Sequence, residues 1–439
     1  MRNQSTRSKS RLAIAALAAL AVMTVGCKSQ STEDAESTTT AKSTDTTVPD
    51  TRDTGVTDTT IKVGIPYLDL SAIADVVNIH HGDYVKAYTA VIDDINAKGG
   101  INGRKIEPTF APVPPSQLDP TGADVACLKL TEDAEVFAAI GYIDGDAALC
   151  YVEQHDTPIV GGFQNTERLS RAEAPWFAVN TNTDTRTTEG IAALAKAGEL
   201  DDATVAVVAN SIDQKSLDLA ESALDEAGVD VVDTGVFDVA AGDVEAATTQ
   251  AATLSERFQA AGVDTIVTVG DSAVAMARGL ARTGFHPKLV ALSPDGIEAV
   301  VADESSDKAV LEGAIAITDN GRDQFNEEYF QDCLKIVEPV TGEIVQDPNT
   351  KPEGSPDYMT SVREACQYTL LFAAIAEKAG PELNNSTFRK AGEQLGAFNL
   401  PGRPGMEWSA ERPDGAAPLY ISRFTSDGTR MLTDEKPVS

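Results

Sequence analysis

The sequence has few of the side chains from which enzymes build catalytic and metal sites. It contains only four histidines in 439 residues, and neither G-x-S-x-G nor H-E-x-x-H occurs. His80 and His81 are adjacent and would point in different directions on a helix, so they do not suggest a metal site. No G-x-G-x-x-G or Walker A pattern follows a predicted strand, and methionine and tryptophan are sparse. We therefore predict a protein that is not an enzyme and needs neither metal nor cofactor.

Cysteine is also scarce, and the absence of any C-x-x-C pair disfavours a zinc or thioredoxin-like site. Beyond Cys27, the cysteines are Cys127, Cys150, Cys333 and Cys366. An even number in an exported chain favours disulfides. Three pairings are possible, and we favour Cys127–Cys150 with Cys333–Cys366 because each joins neighbours in the sequence.

Basic residues are in the minority, since 35 lysines and arginines accompany 68 aspartates and glutamates, for a formal net charge of −33. This excess of negative charge would repel phosphate groups. Nucleic acid and anionic lipid headgroups are therefore not expected partners.

The N-terminus has the opposite charge and a long apolar run. Residues 1–27 combine a basic, polar start with the run Leu12 to Val25, which is short for a permanent membrane anchor. The run leads through Gly26 into Cys27, as in a bacterial lipobox. We predict a lipoprotein signal peptide over 1–27, with Cys27 lipidated and the protein exported and anchored to the outer face of the bacterial cytoplasmic membrane. An ordinary secretory signal with an incidental cysteine is the alternative.

Residues 28–57 are rich in serine, threonine and aspartate and offer almost nothing to bury. This composition predicts a disordered tether between the anchor and a folded body. No later apolar run approaches membrane-spanning length.

The body alternates short β-branched runs with amphipathic segments that end in glycine. Residues 60–68 are typical of a buried strand, Asp83 to Ala97 of a helix, and the glycines of 99–103 then return the chain to extended structure. The same order recurs at 204–237 and 244–293. Repeated units of this kind predict βαβ crossovers and an α/β fold with parallel sheets.

Two early segments, "IKVGIPYL" (61–68) and "AVIDDINAKGGINGRKIEP" (90–108), carry a family resemblance. They resemble the opening of the type I periplasmic-binding-protein superfamily, in its leucine/isoleucine/valine-binding branch of ABC-transporter substrate-binding proteins. Further matching segments, among them "DTPIVGG", "AGVDTIVTVGD" and "SPDG", follow in order. The resemblance covers residues 58–439.

The resemblance implies two doubly wound parallel-sheet lobes joined by three crossover segments, with a ligand in the cleft between them. Lobe one would comprise 58–182 and 319–415, and lobe two 183–318 and 416–439. The protein would be a monomer that binds a small-molecule solute and delivers it to an ABC permease by hinge closure, as in amino-acid transport. The alternative is a ligand-sensing receptor of the same fold that signals to a partner without transport.

The resemblance also places the ligand where strand ends and helix N-termini face the cleft. Related amino-acid-binding proteins grip a ligand carboxylate there with serine and threonine, whereas the loop 141–150 presents Asp144. A fixed carboxylate would repel that of a ligand by roughly 1–4 kcal/mol, so Asp144 either caps a helix or meets a donor on the ligand. The candidate site residues on lobe one are Tyr67, Asp69, Asp144, Gly145, Phe163, Gln164, Asn165 and Thr166.

On lobe two, Asp295 of "SPDG" aligns with the family's acidic partner of the ligand ammonium, although Asp-Gly is also an ordinary turn pair. The segment "NSIDQKS" stands where the family often has Tyr-Gly, and it suggests Ser211 and Asp213 as polar substitutes. Asp271 faces the cleft by its position after a strand. The candidates are rich in acids and amides and poor in arginine, which predicts a small, polar, neutral or amine-bearing solute rather than a simple anion.

Overall fold

The computed structural model describes residues 53–72, 80–115, 119, 121–211, 214–239, 243–270, 272–303, 306–352, 355–425 and 430–438. The predicted signal peptide with Cys27, most of the predicted tether, and the candidates Asp213 and Asp271 lie outside these residues. Within the described part, no helix is both long and apolar enough to cross a membrane.

The strands of the described residues form two large sheets and one hairpin. Sheet one contains β1 (Thr60–Leu68), β2 (Lys105–Val113), β3 (Ala138–Gly141), β4 (Ile159–Gly161) and β5 (Trp176–Phe177). Sheet two begins with β6 (Val205–Asn210), β7 (Val231–Phe237), β8 (Thr265–Thr268), β9 (Lys288–Ala291) and β10 (Ile315–Thr318). After the hairpin of β11 (Gly396–Leu400) and β12 (Arg403–Trp408), sheet two is completed by β13 (Tyr420–Phe424) and β14 (Met431–Thr433).

Sheet one has the strand order β2-β1-β3-β4-β5, and all its described pairs are parallel. Sheet two has the order β14-β13-β10-β9-β8-β6-β7. It is parallel from β10 to β7, while β13 and β14 pair antiparallel at one edge.

Helices connect the strands. Those that follow strands of sheet one are α1 (Tyr84–Ala97), α2 (Gly122–Leu128), α3 (Ala147–Leu149) and α4 (Thr166–Arg171). The next five are α5 (Thr183–Lys196), α6 (Gln214–Glu226), α7 (Val244–Ala260), α8 (Ser272–Thr283) and α9 (Asp295–Ala302). The last three are α10 (Glu328–Thr341), α11 (Met359–Ala379) and α12 (Asn385–Glu393). Short π-helical turns follow α2 and α3 at Lys129–Asp133 and Cys150–Gln154, and 3₁₀ turns lie at Lys308–Leu311 and Arg322–Phe325.

Apolar clusters cover both faces of each sheet. One face of sheet one packs on α1, α10 and α11, and the other on α2 and α3. Sheet two lies between α7, α8 and α9 on one side and α5 and α6 on the other. Burial of apolar surface on both faces explains why the strands are near-continuous apolar runs. Each sheet with its helices is one lobe, called here lobe one and lobe two after the sheets.

The chain passes between the lobes three times in the described residues. It leaves sheet one after β5, returns after β10 to build α10 through β12 on lobe one, and leaves again before β13. The predicted fold class, two doubly wound lobes with three crossovers, is confirmed.

The glycine-rich segment after α1 is a structural turn. Ile101 and Arg104 exchange two backbone hydrogen bonds, of 2.8 and 3.0 Å, around Asn102 and Gly103, whose φ angles are 49° and 82°. Two consecutive positive φ angles are typical of a type I′ turn, which favours Asn-Gly. A Cβ at Gly100 would lie 2.0 Å from the Arg104 carbonyl oxygen, so glycine is needed there.

Residues 53–57, the end of the predicted tether, belong instead to the folded body. Val56 is buried and bridges to Ile61, and the Lys62 amide donates to the Gly55 carbonyl over 2.8 Å. Val56 packs beside β1 and the Thr57 carbonyl accepts from Arg104 Nε over 2.7 Å, contacts that the polar composition of the segment did not indicate.

Two disulfides link elements of lobe one. Cys127 is bonded to Cys150 and Cys333 to Cys366, which is the pairing favoured from the sequence. The first joins α2 to the turn after α3, and the second joins α10 to α11. Each restricts the unfolded chain by closing a loop.

Candidate functional site

Near the carboxyl ends of β1, β3 and β4, the backbones of neighbouring strands approach too closely for a side chain to fit. A Cβ at Gly141 would lie 2.4 Å from the Pro66 carbonyl oxygen, and one at Gly161 would lie 2.5 Å from the Gly141 carbonyl oxygen. Only glycine permits such close approach. The loops that leave this edge carry the lobe-one candidates.

The first of these loops holds Asp144, Gly145 and Asp146. Asp144 is exposed, and its carboxylate forms no hydrogen bond or ion pair with another described residue. Asp146 stands at the N-cap of α3 but forms no side-chain capping bond, and instead accepts from Arg168 Nε over 2.8 Å. This pairing offsets the negative charge of Asp146. Any repulsion of a ligand carboxylate by this loop would therefore come mainly from Asp144.

Two residues of the second loop form hydrogen bonds that stabilise the surrounding structure. Gln164 is fully buried, its side-chain amide donates to the Trp176 backbone carbonyl over 3.0 Å, and its backbone carbonyl accepts from the Thr183 backbone amide over 2.9 Å. Asn165 caps α4 by accepting from the Arg168 amide over 2.8 Å.

The remaining candidates of this loop lie nearer to solvent. Phe163 is partly exposed and Thr166 is exposed. Thr166 is the first residue of α4, and its backbone amide donates to Asp184 Oδ2 of lobe two over 3.0 Å. Of the four predicted residues, Phe163 and Thr166 have the more accessible side chains.

Tyr67 lies near the end of β1 and Asp69 directly follows it, and the two side chains have different environments. The Tyr67 ring lies 6.0 Å from Tyr84 and 6.5 Å from Phe110 between ring centroids. Burial, together with Asp69 and Asp83, raises the pKa of Tyr67. The Asp69 carboxylate accepts from the Ser71 amide over 2.9 Å and so closes a local turn.

On lobe two, the carboxyl ends of β6, β8 and β9 are aligned, because Val208 pairs with Thr268 and Thr268 with Ala291. Ser211 follows β6 and is exposed. Asp295 begins α9, is exposed, and accepts from the Ser293 hydroxyl over 2.8 Å. Both described candidates of this lobe therefore lie at the strand-end edge.

Charged residues of both lobes influence the pKa of one acidic residue of lobe two. The pKa of Glu298, in the first turn of α9, is raised by burial and by Asp295, and the charges of Arg363, Asp357 and Lys351 also affect it. These last three come from α11 and the segment before it. Glu298 keeps contact with solvent, so water screens part of this effect.

The residues of this set on α11 and before it are not among the candidates predicted from the sequence. Arg363 is partly buried and donates to Gln324 Oε1 over 3.4 Å. Beside it, burial raises the pKa of Glu364 to about 7. The available signal was an Arg-Glu pair inside an otherwise apolar helix, "SVREACQYTLLFAA", where a surface helix would spread its charges along one face.

The crossovers are held by a buried ion pair. Arg403 Nη2 lies 2.9 Å from Asp319 Oδ1, with side chains 4% and 6% exposed. Arg403 also donates to the Val179 carbonyl and to Asn320 Oδ1, the latter over 2.8 Å from Nη2. Asp319 Oδ2 accepts from the Thr181 amide over 2.9 Å. One guanidinium thus joins the first crossover, the second crossover and the hairpin of lobe one.

A cavity of about 400 Å³ lies beside this ion pair rather than at the strand ends. Its walls come mainly from the second and third crossovers and the β11–β12 hairpin. It contains none of the sequence-predicted site residues.

One group of possible metal ligands occurs among the described residues: Cys127, Cys150 and His155. Both sulfurs are joined in a disulfide, so neither is available as a thiolate. His81, whose pKa is lowered by burial, places Nδ1 3.2 Å from the Tyr84 hydroxyl at the start of α1.

The chain matches the family model for periplasmic binding proteins over residues 60–429. It therefore belongs to the periplasmic binding protein family, a family of extracytoplasmic binding proteins, and the resemblance in the sequence is confirmed. A search of the curated proteins found no match.

Solved structures share the fold at low sequence identity. A leucine-binding protein LivK from Thermotoga maritima MSB8 is 13% identical with a TM-score of 0.62, over 85% of this chain and 97% of that one. A fatty acid ABC transporter substrate-binding protein from Thermomonospora curvata is 17% identical with a TM-score of 0.61, over 88% and 95%. An ABC-transporter solute-binding protein from Rhodopseudomonas palustris BisB5, in complex with 3,4-dihydroxybenzoic acid, is 14% identical with a TM-score of 0.59, over 86% and 96%.

Proposed function

We propose that the protein captures a small polar solute, amino-acid-like or amine-bearing, between its lobes and delivers it to an ABC permease by hinge closure. The observation that carries this proposal is the set of charged groups at the starts of two helices, with Asp295 and Glu298 in the first turn of α9 and Asp357 and Arg363 around the start of α11. Acids outnumber bases among them, which favours a ligand with a positive group.

The ligand class differs from those named for two structural relatives, a fatty acid and a dihydroxybenzoic acid. A leucine-binding relative is closer in chemistry, because leucine carries an ammonium group. An anion without an ammonium group would meet the exposed carboxylates of Asp295 and Asp144 without compensation.

Lobe closure is compatible with the contacts between the lobes. We assign 58–182 and 319–415 to lobe one and 183–318 and 416–439 to lobe two. At the rim, Lys215 of α6 lies 3.3 Å from Glu167 of α4, with side chains 67% and 58% exposed. An ion pair so exposed contributes about 0–1 kcal/mol, which is too little to hold the lobes shut without a ligand.

We further propose that residues 1–27 are a lipoprotein signal and that lipidated Cys27 anchors a monomeric protein to the outer face of the bacterial cytoplasmic membrane. Cys27→Ser should move the protein from the membrane fraction to the soluble fraction without changing solute binding. Retention of the variant in the membrane fraction would contradict the anchor.

A thermal-shift screen of the purified protein tests the capture of solutes. Amino acids, amides, polyamines, polyols and dicarboxylates would be compared, followed by calorimetric titration of any solute that raises the melting temperature. A solute at one hundred times its Kd should stabilise the native protein by about 2.7 kcal/mol. Tight binding of a dicarboxylate with no binding of amines would contradict the proposed ligand class.

A further inference from the structure

Two polar groups on neighbouring helices of lobe one are buried without a partner. Oε2 of Glu364 on α11 and the hydroxyl of Tyr88 on α1 form no hydrogen bond in the described structure, and Tyr88 is 0% exposed. Buried polar atoms almost always have partners. Two unpartnered oxygens in one place mark a position where a hydrogen-bond donor would be strongly stabilised.

Three tyrosines of α1 and α11 lie in the same packed cluster as Ala365, the neighbour of Glu364. After burial, the charge of Glu364 is the largest influence that raises the pKa values of Tyr84, Tyr88 and Tyr368. The Tyr67 ring adjoins Tyr84 at 6.0 Å between centroids. A carboxylate in a tyrosine-rich cluster suits an ammonium group, which gains charge pairing with the carboxylate and cation–π contact where it meets a ring face.

The cluster lies beside the strand-end edge of sheet one. The Tyr88 hydroxyl lies 3.3 Å from the position that a Cβ on Gly141 would take, and Gly141 ends β3 at the strand-end edge of sheet one. Arg363, the neighbour of Glu364, acts on Glu298 of lobe two. Glu364 is itself only partly buried although its Oε2 is enclosed. Part of the Glu364 side chain is therefore open to solvent.

The neighbouring charges favour a cation there. Asp357 raises and Arg363 lowers the pKa of Glu364, and Asp357, Arg363 and Lys351 also act on the pKa of Glu298. The net charge of this set is negative, so an ammonium group lowers its electrostatic energy and a carboxylate raises it.

We propose that the Glu364 carboxylate, with the Tyr88 hydroxyl and the rings of Tyr84 and Tyr368, binds an ammonium group of the solute. This assignment rests on the proposed solute-binding function and makes it more specific. It differs from the sequence analysis, which gave the ammonium to Asp295. Asp295 is exposed and accepts a hydrogen bond from Ser293. Water therefore screens its attraction for an ammonium group, and one carboxylate oxygen already has a partner.

Calorimetric titration of the purified full-length protein tests the assignment. The probes are L-leucine, L-lysine, agmatine, putrescine and spermidine, with 1,4-butanediol, sorbitol and succinate as solutes without an amine. The variants are Glu364→Gln and Tyr88→Phe, compared with Asp295→Asn. Glu256→Gln, an exposed residue of α7, is the matched control for loss of one negative charge.

We expect at least one amine to bind, and Glu364→Gln to weaken it about ten- to hundredfold. Tyr88→Phe should weaken it severalfold, Asp295→Asn less than Glu364→Gln, and Glu256→Gln not at all. Melting curves should show that all variants fold, so that lost binding is not lost structure.

The assignment is overturned if amine affinity is unchanged in Glu364→Gln and Tyr88→Phe, or if Asp295→Asn loses more affinity than Glu364→Gln. If only the solutes without an amine bind, the ammonium site is overturned while solute capture stands. If none of the solutes binds, both are overturned.

Discussion

Replacement of Arg403 by methionine should strongly destabilise the protein, because it leaves a charge buried alone. Arg403 pairs with Asp319 over 2.9 Å, and both side chains are nearly inaccessible. Burial would raise the pKa of Asp319, but the charges of Arg403 and Arg186 outweigh it and lower that pKa, so the carboxylate is ionised at neutral pH. Methionine fills similar volume but cannot pair with this charge or donate to the Val179 carbonyl.

Breaking a buried pair from one side costs about 3–5 kcal/mol. We expect Arg403→Met to lower the free energy of unfolding by this amount. Unfolding in urea can be followed by fluorescence, because the two tryptophans, Trp176 and Trp408, both belong to lobe one and donate to backbone carbonyls at 2.9 and 3.0 Å. Their environment should change when the lobe or its crossovers unfold.

The matched control is Arg282→Met. Arg282 lies 2.7 Å from Glu245 in an ion pair whose side chains are 43% and 77% exposed. Because water screens an exposed pair, this variant should unfold like the parent protein. If Arg403→Met destabilises the protein no more than Arg282→Met, the ion pair does not hold the crossovers together and the reasoning fails.

Three further perturbations follow from the structure. Burial raises the pKa of Glu364 from 4.5 to about 7, so the folded state binds the proton more tightly and stability is lost as pH rises from about 5 through 7. Between pH 5 and pH 8, Glu364→Gln should reduce the fall in the free energy of unfolding, measured in urea, by up to about 3 kcal/mol. An unchanged pH dependence would show that Glu364 does not cause this fall. Joint replacement of Cys127 and Cys150, 23 residues apart, by serine should cost about 3 kcal/mol in the same assay, and no loss would show that the bridge is dispensable. Gly141→Ala, with a Cβ 2.4 Å from a carbonyl oxygen, should lower the melting temperature more than Gly228→Ala, where no atom lies within 4 Å; equal effects would show that the close approach is relieved at no cost.

Much of the fold was predictable because its signals are local. Residues 60–68 form β1 with the bounds that the β-branched run predicted, and α1 begins one residue after Asp83, which caps it by accepting from the Lys86 amide. The Asn-Gly turn after α1 depends on backbone angles that few residues adopt, so the Asn-Gly pair in the sequence directly indicates such a turn. The alternation of strands and helices then leaves few topologies for a chain of this kind.

The site was less predictable because its contacts join distant residues. Asp146 and Arg168 pair across two loops, so no local pattern could show that one aspartate of "DGD" is paired and the other is not. Glu364 becomes significant only because α11 packs on α1, where its charge acts on Tyr88. In a helix, an Arg-Glu pair usually faces water, and the sequence alone does not show that this one is enclosed.

The same limit applies to the crossovers. Arg403 and Asp319 are separated by 84 residues, and neither belongs to a motif that the sequence analysis recognised. Tertiary packing alone brings the guanidinium to the second crossover. Residues 53–57 show the reverse error, where a polar composition hid one valine that packs.

A crystal structure of the protein with the most stabilising solute from the thermal-shift screen tests the central claim most directly. We predict that the solute lies between the two sheets, with its amine within hydrogen-bond distance of the Glu364 carboxylate and with lobe-two atoms near Asp295 and Glu298 in contact with it. A solute bound elsewhere, for instance in the cavity beside Arg403, with the space between the strand ends of the two sheets unchanged, would contradict the account.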